Sequence, residues 1–587
     1  MPYTPNNPLV PGDPYSYDLK WMVEKLKELT ANYTGLNQEV INIKNYLNSL
    51  DVETFVDAKI DQMYADGQFT SILQSLVDSY VATTNARIDN IENDIALIAS
   101  KLLAVRRANA FREEAAAFPL YVIKAYVNGI NGDEYNVQGM CATYNADDSI
   151  KNIYVYCDGG SHARLFKLTG GNRTNGSGWT YSYSDNVPAV HGSTISVNEA
   201  ANKIYISNEA GSGTFYEYDI VTDTYALIDI SNITNTPILG VVYDPDTNTF
   251  LVCGNVNNKM YVLDDSFALI REYSHNITYD TSSYLYQSYD YKNGLEYRTF
   301  NGPQHRTNGI IVYDTIDGTP LKLINIGPLY GELESISIRN GVALLAYDNV
   351  YYDYNNIQMG MVAEAYIGGA VNTNFMLNIR QKINCGYPFA NFLSNHNTTG
   401  IPNIYYVNTH ADSELCRYVG VGTTANPISS GLVIAAMILL FKQYYDYSKI
   451  TITLNGNNTN NDDNGFWLND ITGIDLTIIG NDKTLNNLYV HYANNLDVRA
   501  IAVTAGGTGR RANDGRMYLE YNNNLIIKNT VTAPIVWLTD NYRVLIYNTL
   551  TGTHASINSE SYRNIYMPGS KARFTAPHFV SNGDISS

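Results

Sequence analysis

The chain has 587 residues, of which 45% are apolar and 16% are charged. Its 57 acidic and 38 basic side chains give a formal net charge of -19, which argues against broad binding to nucleic-acid phosphates, because that affinity comes from basic side chains. The composition also excludes a highly charged disordered protein, and the length predicts three or four domains.

The five cysteines indicate neither a zinc site nor a disulfide framework, because they are scattered without a CxxC spacing. They are Cys141, Cys157, Cys253, Cys385 and Cys416. The first residues lack the basic and apolar regions of a secretory signal, and the apolar stretch 432–441 is about half the length that spans a bilayer. We expect a soluble chain without membrane insertion, metal or cofactor.

Residues 1–18 are predicted to form a proline-rich arm. Proline recurs at positions 2, 5, 8, 11 and 14, and polyproline II has three residues per turn, so the rings would lie along one edge. The arm is interpreted as a tether on another protein's surface, with a disordered leader as the alternative.

Residues 19–115 show apolar side chains at alternating spacings of three and four, which predicts a coiled-coil stalk. Isoleucines at both a and d positions favour a trimer. The predicted trimer core comprises Leu19, Met22, Leu26, Leu29, Leu36, Val40, Ile43, Leu47, Ile88, Ile91, Ile95 and Ile98. The polar run around Gly67 predicts a hinge near 51–71. An intramolecular hairpin of two helices remains the alternative.

Residues 116–375 are predicted to form a five-bladed β-propeller. Five anchors at Gly139, Gly192, Gly240, Gln287 and Glu334 are spaced by 53, 48, 47 and 47 residues, and strand pairs follow each of them. A period near 47 with about four strands is typical of propeller blades. A strand at 118–126 or 362–366 would complete the last blade. A β-sandwich is the alternative, and residues 376–402 form a linker.

Residues 403–587 are predicted to form a right-handed parallel β-helix. Short strands recur with asparagine-rich turns, and Ile474, Leu496, Leu525, Tyr542 and Tyr562 are spaced by 22, 29, 17 and 20 residues. A helix over 432–444, capped by Ser430, is expected to cover one end of the core. A jelly roll or sandwich is the alternative. The overall class is therefore a multidomain protein with an N-terminal trimeric α-helical coiled coil followed by mainly β domains.

Two short stretches resemble the tail fibres, appendages and receptor-binding proteins of phages that infect Gram-positive hosts. Residues 5–8 (PNNP) with 15–21 (YSYDLKW) are similar to the leader of such proteins, and residues 56–67 (VDAKIDQMYADG) are similar to a hinge in the same fibres. The resemblance covers about a tenth of the chain. It implies a homotrimer that is attached to the virion by its N-terminus and binds host-surface glycan with its distal domains.

Candidate ligand-binding residues come from the aromatic side chains, because 50 tyrosines against 16 phenylalanines provide many amphipathic rings for stacking on sugars. Codon bias is the alternative explanation. We select Trp467, Trp537, Tyr351 and Tyr352, although blade packing accounts for many such rings. The pair Asp462-Asp463 lies in a polar run, where adjacent carboxylates seldom flank a glycosidic bond. No catalytic residue is assigned.

The sequence thus predicts a virion tail fibre or appendage that attaches to host-surface glycans during adsorption. Its expected partners are a homotrimer, tail, collar or portal proteins through the arm, and host glycan, without nucleic acid. The alternatives are a tail-spike depolymerase that cleaves capsule or wall polysaccharide and a collar or head fibre without a receptor role. A binder is favoured over an enzyme because no specific catalytic constellation is present. The protein is expected in the virion, after synthesis in the host cytoplasm.

Overall fold

A computed structural model describes residues 65–111, 113–124, 136–172, 176–254, 259–275, 285–292, 294–302, 308–327, 331–348, 359–368, 403–407, 414–420, 422–431, 433–434, 437–438, 448–457, 466–468, 471–485, 487–504, 516–539, 541, 543–547, 549–557, 565–566, 573–575 and 578–581, with scattered positions between 24 and 45. The chain divides into two compact units, residues 1–106 and 107–587. Among the helices described, none is long and apolar enough to cross a membrane.

The N-terminal unit is helical. The described positions between 24 and 45 are all helical, and helix α1 spans Gln68–Asn109, a stretch free of proline and glycine. Arg87 Nη1 donates to Glu39 Oε2 at 2.9 Å, so the two helical segments lie side by side within one chain, as the hairpin alternative expects. Residues 66–67 form a turn immediately before α1, at the end of the predicted hinge.

An apolar stripe on α1 is open to solvent in the single chain. Of the predicted trimer core, Ile88 is 40% exposed and Ile95 51%, whereas Ile98 is buried. Val40 is helical and 42% exposed. The other predicted core positions in the first segment, Leu19, Met22, Leu26, Leu29, Leu36, Ile43 and Leu47, lie outside the described residues. The trimeric coiled coil therefore stays a prediction.

A five-bladed β-propeller follows. Blade A comprises β2 (Asn136–Tyr144), β3 (Ile150–Asp158), β4 (Ala163–Thr169) and β5 (Thr180–Ser184), and blade B comprises β6 (Ile195–Asn198), β7 (Lys203–Ile206), β8 (Thr214–Asp219) and β9 (Thr224–Asp229). Blade C comprises β10 (Ile238–Asp244), β11 (Thr249–Gly254), β12 (Lys259–Leu263) and β13 (Leu269–Ser274). Blade D comprises β14 (Leu285–Lys292), β15 (Leu295–Asn301), β16 (Asn308–Asp314) and β17 (Pro320–Gly327), and blade E contains β18 (Glu332–Arg339), β19 (Val342–Asp348) and β20 (Met359–Tyr366).

The hairpin turns of the blades use residues that accept a positive φ. Asn340 and Gly341 connect β18 to β19 with φ of 48° and 78°, as the two-residue Asn-Gly turn requires. Asp148, Asn202, Asp223 and Asn248 likewise have positive φ at other hairpin tips. Apolar runs such as β16 and β19 are buried throughout, because both faces of a blade pack against neighbouring blades.

The innermost strands close into a ring around the propeller axis. Each of β2, β6, β10, β14 and β18 contacts the next, and β18 contacts β2. Buried hydroxyl groups join blades across this ring: Thr194 Oγ1 lies 3.1 Å from Ser288 Oγ, which lies 3.2 Å from Ser335 Oγ. Ser335 Oγ also accepts the Met140 N–H at 2.9 Å. These bonds satisfy buried polar groups and fix the strands' positions around the axis.

Four of the five innermost strands carry a register irregularity near their first residues. It falls between Val137 and Gly139 in β2, Ile238 and Gly240 in β10, Tyr286 and Tyr289 in β14, and Leu333 and Ser335 in β18. The sequence anchors at Gly139, Gly240, Gln287 and Glu334 mark these positions. The period near 47 therefore follows a repeated bulge at one end of the ring.

Strand β1 (Glu114–Lys124) completes the last blade. Its residues 117–124 pair antiparallel with β20, and residues 114–116 pair in parallel with β17 of blade D. It starts four residues before the strand predicted at 118–126. Tyr121–Ile123 also pair with β22 (Cys416–Tyr418), so β1 connects the propeller to the C-terminal region. The Trp179 ring stacks on that of Tyr418 at 4.2 Å beside this contact.

A buried charged network joins blades C and D. Glu296 is fully buried. Its Oε2 atom accepts a hydrogen bond from Tyr273 Oη at 3.0 Å and lies 2.7 Å from His275 Nε2, and its Oε1 atom accepts one from Arg298 Nε at 2.8 Å. Burial alone would raise the pKa of Glu296, but His275 and Arg298 outweigh it and lower this pKa to about 2. The carboxylate is therefore charged in the folded protein.

The C-terminal region is a 13-stranded sheet in which every strand pair is parallel. Its strands are β21 (Asn403–Tyr406), β23 (Lys449–Leu454), β24 (Phe466–Leu468), β25 (Asp475–Leu485), β26 (Leu488–His491), β27 (Asn495–Val503), β28 (Arg516–Glu520), β29 (Asn524–Thr539), β30 (Arg543–Ile546), β31 (Thr549–Ile557), β32 (Ile565–Tyr566), β33 (Arg573–Thr575) and β34 (His578–Ser581).

Two ladders run through this sheet and meet in the long strand β29. One ladder passes through β21, β23, β25, β27, β29, β30 and β32, and the other through β24, β26, β28, β29, β31 and β34. Leu476, Leu496, Leu525 and Val544 stack in one column of the first ladder and are at most 1% exposed. Successive strands of the ladder thus bury an apolar side chain at the same register position.

The predicted helix over 432–444 is present at the residues described within it. Val433, Ile434, Met437 and Ile438 are helical and fully buried. Gly431, the residue after the predicted cap Ser430, is also helical, and Ser430 is buried. Cys141, Cys157, Cys253 and Cys416 are buried free thiols.

We expect Glu296→Gln to lower the free energy of unfolding at pH 7 by about 3–5 kcal/mol, because it leaves the buried Arg298 guanidinium without a counter-charge. The pKa of about 2 lies below the ordinary 4.5, so this carboxylate stabilises the fold fully above about pH 4.5 and progressively less as the pH falls toward 2. The difference in stability between wild type and variant should narrow over that range in urea unfolding.

The matched control is Glu272→Gln on β13, where the carboxylate is half exposed and lies 2.8 Å from Lys259 Nζ. We expect it to change the unfolding free energy by less than about 1 kcal/mol. Equal losses of unfolding free energy in the two variants would contradict the assigned role of Glu296. So would a difference in unfolding free energy between wild type and Glu296→Gln that stays constant down to pH 2.5.

Candidate functional site

A column of aromatic residues in register crosses the second ladder of the parallel sheet. Trp467 on β24 pairs in register with Tyr489 on β26, Tyr489 pairs with Tyr518 on β28, and Tyr518 pairs with Trp537 on β29. Strands in a sheet lie about 4.8 Å apart, so aromatic residues recur at that spacing along the ladder. These four residues are called the aromatic column.

The strand pattern places Tyr489, Tyr518 and Trp537 on the outer face of the sheet. The flanking residues Val536 and Leu538 are fully buried, whereas Trp537 between them is 39% exposed. Because successive side chains in a strand point to opposite faces, Tyr489 and Tyr518 lie on the same side as Trp537. Their rings stack at 4.6 Å with an interplanar angle of 11°, and the Trp537 ring meets Tyr518 edge-on at 4.6 Å.

Among the described side chains of the column, the Trp537 indole is the most accessible. Tyr489 and Tyr518 are 8% and 7% exposed, so their contribution is to support Trp537 rather than to offer ring faces to a ligand. A tryptophan held by packing on one side combines a large apolar surface with an N–H donor. This arrangement suits a ligand that has both an apolar face and hydroxyl groups.

A second pair of tyrosines lies at the turn that follows the column. Tyr492 and Tyr521 are 48% and 44% exposed, and their rings stack at 5.2 Å with an angle of 11°. Both have positive φ, at 63° and 55°, a conformation that is uncommon for aromatic residues. Tyr521 follows Tyr518 by three residues, which is about 10 Å along a strand.

An asparagine ladder holds that turn. Asn522 Oδ1 accepts the Ala493 N–H at 3.0 Å, and Asn541 Oδ1 accepts the Asn522 N–H at 3.1 Å. Asn522 Nδ2 donates to Val490 O at 3.2 Å. Both asparagines are buried, so their amides replace water as partners of the turn backbone and position the tyrosines that precede it.

A histidine and a glutamate lie between the two aromatic features. His491 Nε2 lies 3.4 Å from Glu520 Oε2, and burial lowers the pKa of His491. Since a neutral imidazole and a carboxylate both offer acceptor atoms, this part of the site suits hydroxyl donors. In the part of the chain that the structure describes, no group of three histidine, cysteine or acidic residues could hold a metal ion.

Of the residues selected from the sequence, the structure brings Trp467 and Trp537 into one column, where Trp467 is placed by its backbone pairing. Tyr351 and Tyr352 lie outside the described residues, as does the pair Asp462-Asp463. Sequence reasoning missed Tyr489, Tyr518, Tyr492 and Tyr521. A repeated pattern would have found them, because residues 489–496 (YVHYANNL) and 518–525 (YLEYNNNL) share Tyr-x-x-Tyr-x-Asn-Asn-Leu at a spacing of 29.

Comparison with known proteins assigns no family. No family model and no curated protein matches the chain. Among solved structures, Kuenenia stuttgartiensis hydrazine synthase is similar over 39% of this chain and 62% of its own, at 12% identity and a TM-score of 0.25. The WD40 repeats of RRP9 are similar over 42% of this chain and 99% of their own, at 8% identity and a TM-score of 0.27. The chain thus spans less than two thirds of the hydrazine synthase chain, and similarities this weak carry no functional argument.

We expect Asn522→Ala to lower the free energy of unfolding of the parallel sheet by about 1–3 kcal/mol, because the Ala493 N–H and the Asn541 amide lose a buried partner. Asn523→Ala is the matched control, since that side chain is exposed and makes a single 3.3 Å bond to Asn494, and it should cost less than about 0.5 kcal/mol. Urea unfolding followed by tyrosine fluorescence measures both. Equal effects would show that the ladder does not support the turn.

Proposed function

We propose that this protein is a receptor-binding fibre of a phage virion, and that the aromatic column binds glycan on the host surface. The exposed Trp537 indole, supported by the stacked pair Tyr489–Tyr518, is the observation on which the proposal rests. The leader and hinge sequences that resemble those of phage fibres provide the biological setting.

The chemistry of the column favours a neutral carbohydrate. The ring of a sugar has an apolar face that packs on an indole, and its hydroxyl groups bond to polar neighbours such as Glu520. The chain's net charge of -19 does not oppose this, because such a ligand is recognised by packing and hydrogen bonds rather than by charge. Weak binding at each site would be multiplied by several copies on one particle.

The architecture proposed for this function is an elongated homotrimer. Residues 1–18 attach it to tail, collar or portal proteins, the helical residues form a three-stranded stalk, and the parallel sheet is a right-handed β-helix. The exposed apolar stripe on α1 supports assembly, since Ile88 and Ile95 would otherwise remain in water. The Arg87–Glu39 contact within one chain favours a monomeric hairpin instead, and an assembly measurement separates the two.

We expect Trp537→Ala to weaken binding to host-surface polysaccharide at least tenfold, because it removes the ring that the ligand packs on. Tyr225→Ala is the matched control, since Tyr225 is 49% exposed on strand β9 of the propeller, away from the column, and should leave affinity unchanged. Biolayer interferometry on purified host polysaccharide measures both, and competition with particle adsorption tests the biological role.

Three outcomes would contradict this proposal. Equal affinity of Trp537→Ala and wild type would remove the column as the binding site. Continuous release of reducing ends from the polysaccharide would identify a depolymerase, and free protein that never blocks particle attachment at saturation would leave a fibre without a receptor role.

We expect the wild-type chain to sediment as a trimer of about 196 kDa, three times its 65.4 kDa. The double variant Ile88→Lys/Ile95→Lys should sediment as a monomer, because three lysines would meet at each core layer. Leu97→Lys/Leu103→Lys is the matched control, since both leucines are 39% exposed on α1 but lie off the heptad seam, and it should remain trimeric. A wild-type monomer at high concentration would establish the hairpin.

A further inference from the structure

A ring of five side chains, four of them polar, surrounds the propeller axis at the end where the innermost strands begin. The ring takes one residue from each blade: Gln138, Ser193, Leu239, Gln287 and Glu334. Four of them coincide with the register irregularities, and a bulge changes the direction of the side chain at its extra residue. Below the ring, the hydroxyls of Thr194, Ser288 and Ser335 close the axis.

Carboxylates gather at the mouth of this ring. Glu332 Oε1 accepts from Gln287 Nε2 at 2.6 Å, and Glu209 accepts from the Ser193 hydroxyl. Glu334 is 3% exposed, whereas Glu209 and Glu332 are half-buried and Gln287 is partly open to solvent. The ring is therefore a polar floor, and the two outer glutamates form its accessible wall. We call this feature the axial funnel.

The charges of the funnel are poorly balanced. Burial and the neighbouring Glu332, Asp348 and Glu209 all raise the pKa of Glu334, and burial raises that of Glu209. The cationic group that acts on Glu209 is His191, which is half exposed and lies 3.6 Å from Asp158. Crowded carboxylates of this kind bind a proton or another cation to reduce their repulsion.

An unpaired acceptor on the floor of the funnel points independently to a ligand. Gln138 is 5% exposed, and its Oε1 atom makes no hydrogen bond to the described residues. Val137 packs on Gly360 of blade E, and Gly139 faces Ile195 of blade B. Gln138 is the extra residue of the bulge between them, the position that Glu334 holds in β18. A buried amide oxygen without a donor is uncommon in native proteins and calls for a partner.

We propose that the axial funnel binds a small primary ammonium, as carried by an amino sugar. Its three N–H donors match the Gln138 amide oxygen and the carboxylates of Glu209 and Glu332, and its charge offsets theirs. A metal ion fits less well, because no group of three ligating residues with suitable geometry occurs among the described residues. The funnel and the aromatic column are separate sites, so this proposal does not depend on the proposed function.

The test uses the full-length chain carrying Trp537→Ala, so that stacking on the column does not contribute. Calorimetric titration compares glucosamine with glucose, which differs at the amino group. We expect glucosamine to bind at least tenfold more tightly than glucose and to release protons, measured as a dependence of the binding enthalpy on the buffer, because the cation favours ionised carboxylates.

Glu209→Gln/Glu332→Gln should lower the affinity for glucosamine at least tenfold. These substitutions keep side-chain size and reduce repulsion, so the fold is retained, and the melting temperature verifies this. Glu272→Gln on β13 is the control that should bind as the parent does. Equal binding of the two sugars, no binding of glucosamine, or unchanged affinity in the double variant would overturn the proposal, and so would binding of Ca²⁺ in place of glucosamine.

Discussion

The β fold depends on strand β1, which satisfies the edges of three other parts of the molecule. A propeller blade leaves an unpaired outer edge, and a ring of blades closes only if its last blade is completed. Here the chain supplies that strand from its N-terminal side, and the same strand pairs with β17 of blade D and with β22 before the parallel sheet. Backbone hydrogen bonds of one segment thus join blade D, blade E and the C-terminal region.

Inside this frame, buried polar groups determine the register of the repeated units. Hydroxyls connect the innermost strands across the axis, and Asn522 and Asn541 connect successive turns of the parallel sheet. In both places a side chain takes the partner role that water would have at the surface. The polar atoms specify alignment, while the apolar columns supply most of the free energy of burial.

The sequence predicted the repeated architecture better than its functional surfaces. The anchor period near 47 identified five blades because the bulge recurs at one position, and Leu496 with Leu525 identified one apolar column of the parallel sheet. The other predicted positions of that column were wrong by two or three residues. The sequence placed Ile474, Tyr542 and Tyr562 there, whereas the structure has Leu476, Val544 and Ile565. The segments differ in length, so a fixed spacing does not locate each member.

The candidate site was harder to predict because it depends on pairing between strands that are far apart in sequence. Trp537 was selected as an aromatic residue, but its support by Tyr518 and Tyr489 follows from parallel register, which no local pattern states. The axial funnel has the same origin: Gln138 and Glu334 are 196 positions apart and approach because the ring closes. When residues far apart in sequence meet only because of the fold's topology, the sequence predicts their cluster only if it shows the repeat that produces that topology.

The position of β1 has a mechanical consequence. It begins five residues after helix α1 ends, so tension on the N-terminal segment enters the propeller at the first residue of a strand that is bonded along its length. A load in line with a paired strand is shared by many hydrogen bonds at once, whereas a load across it breaks them one at a time. Tension on the residues before β1 would thus be shared by the hydrogen bonds that this strand makes to β17 and β20.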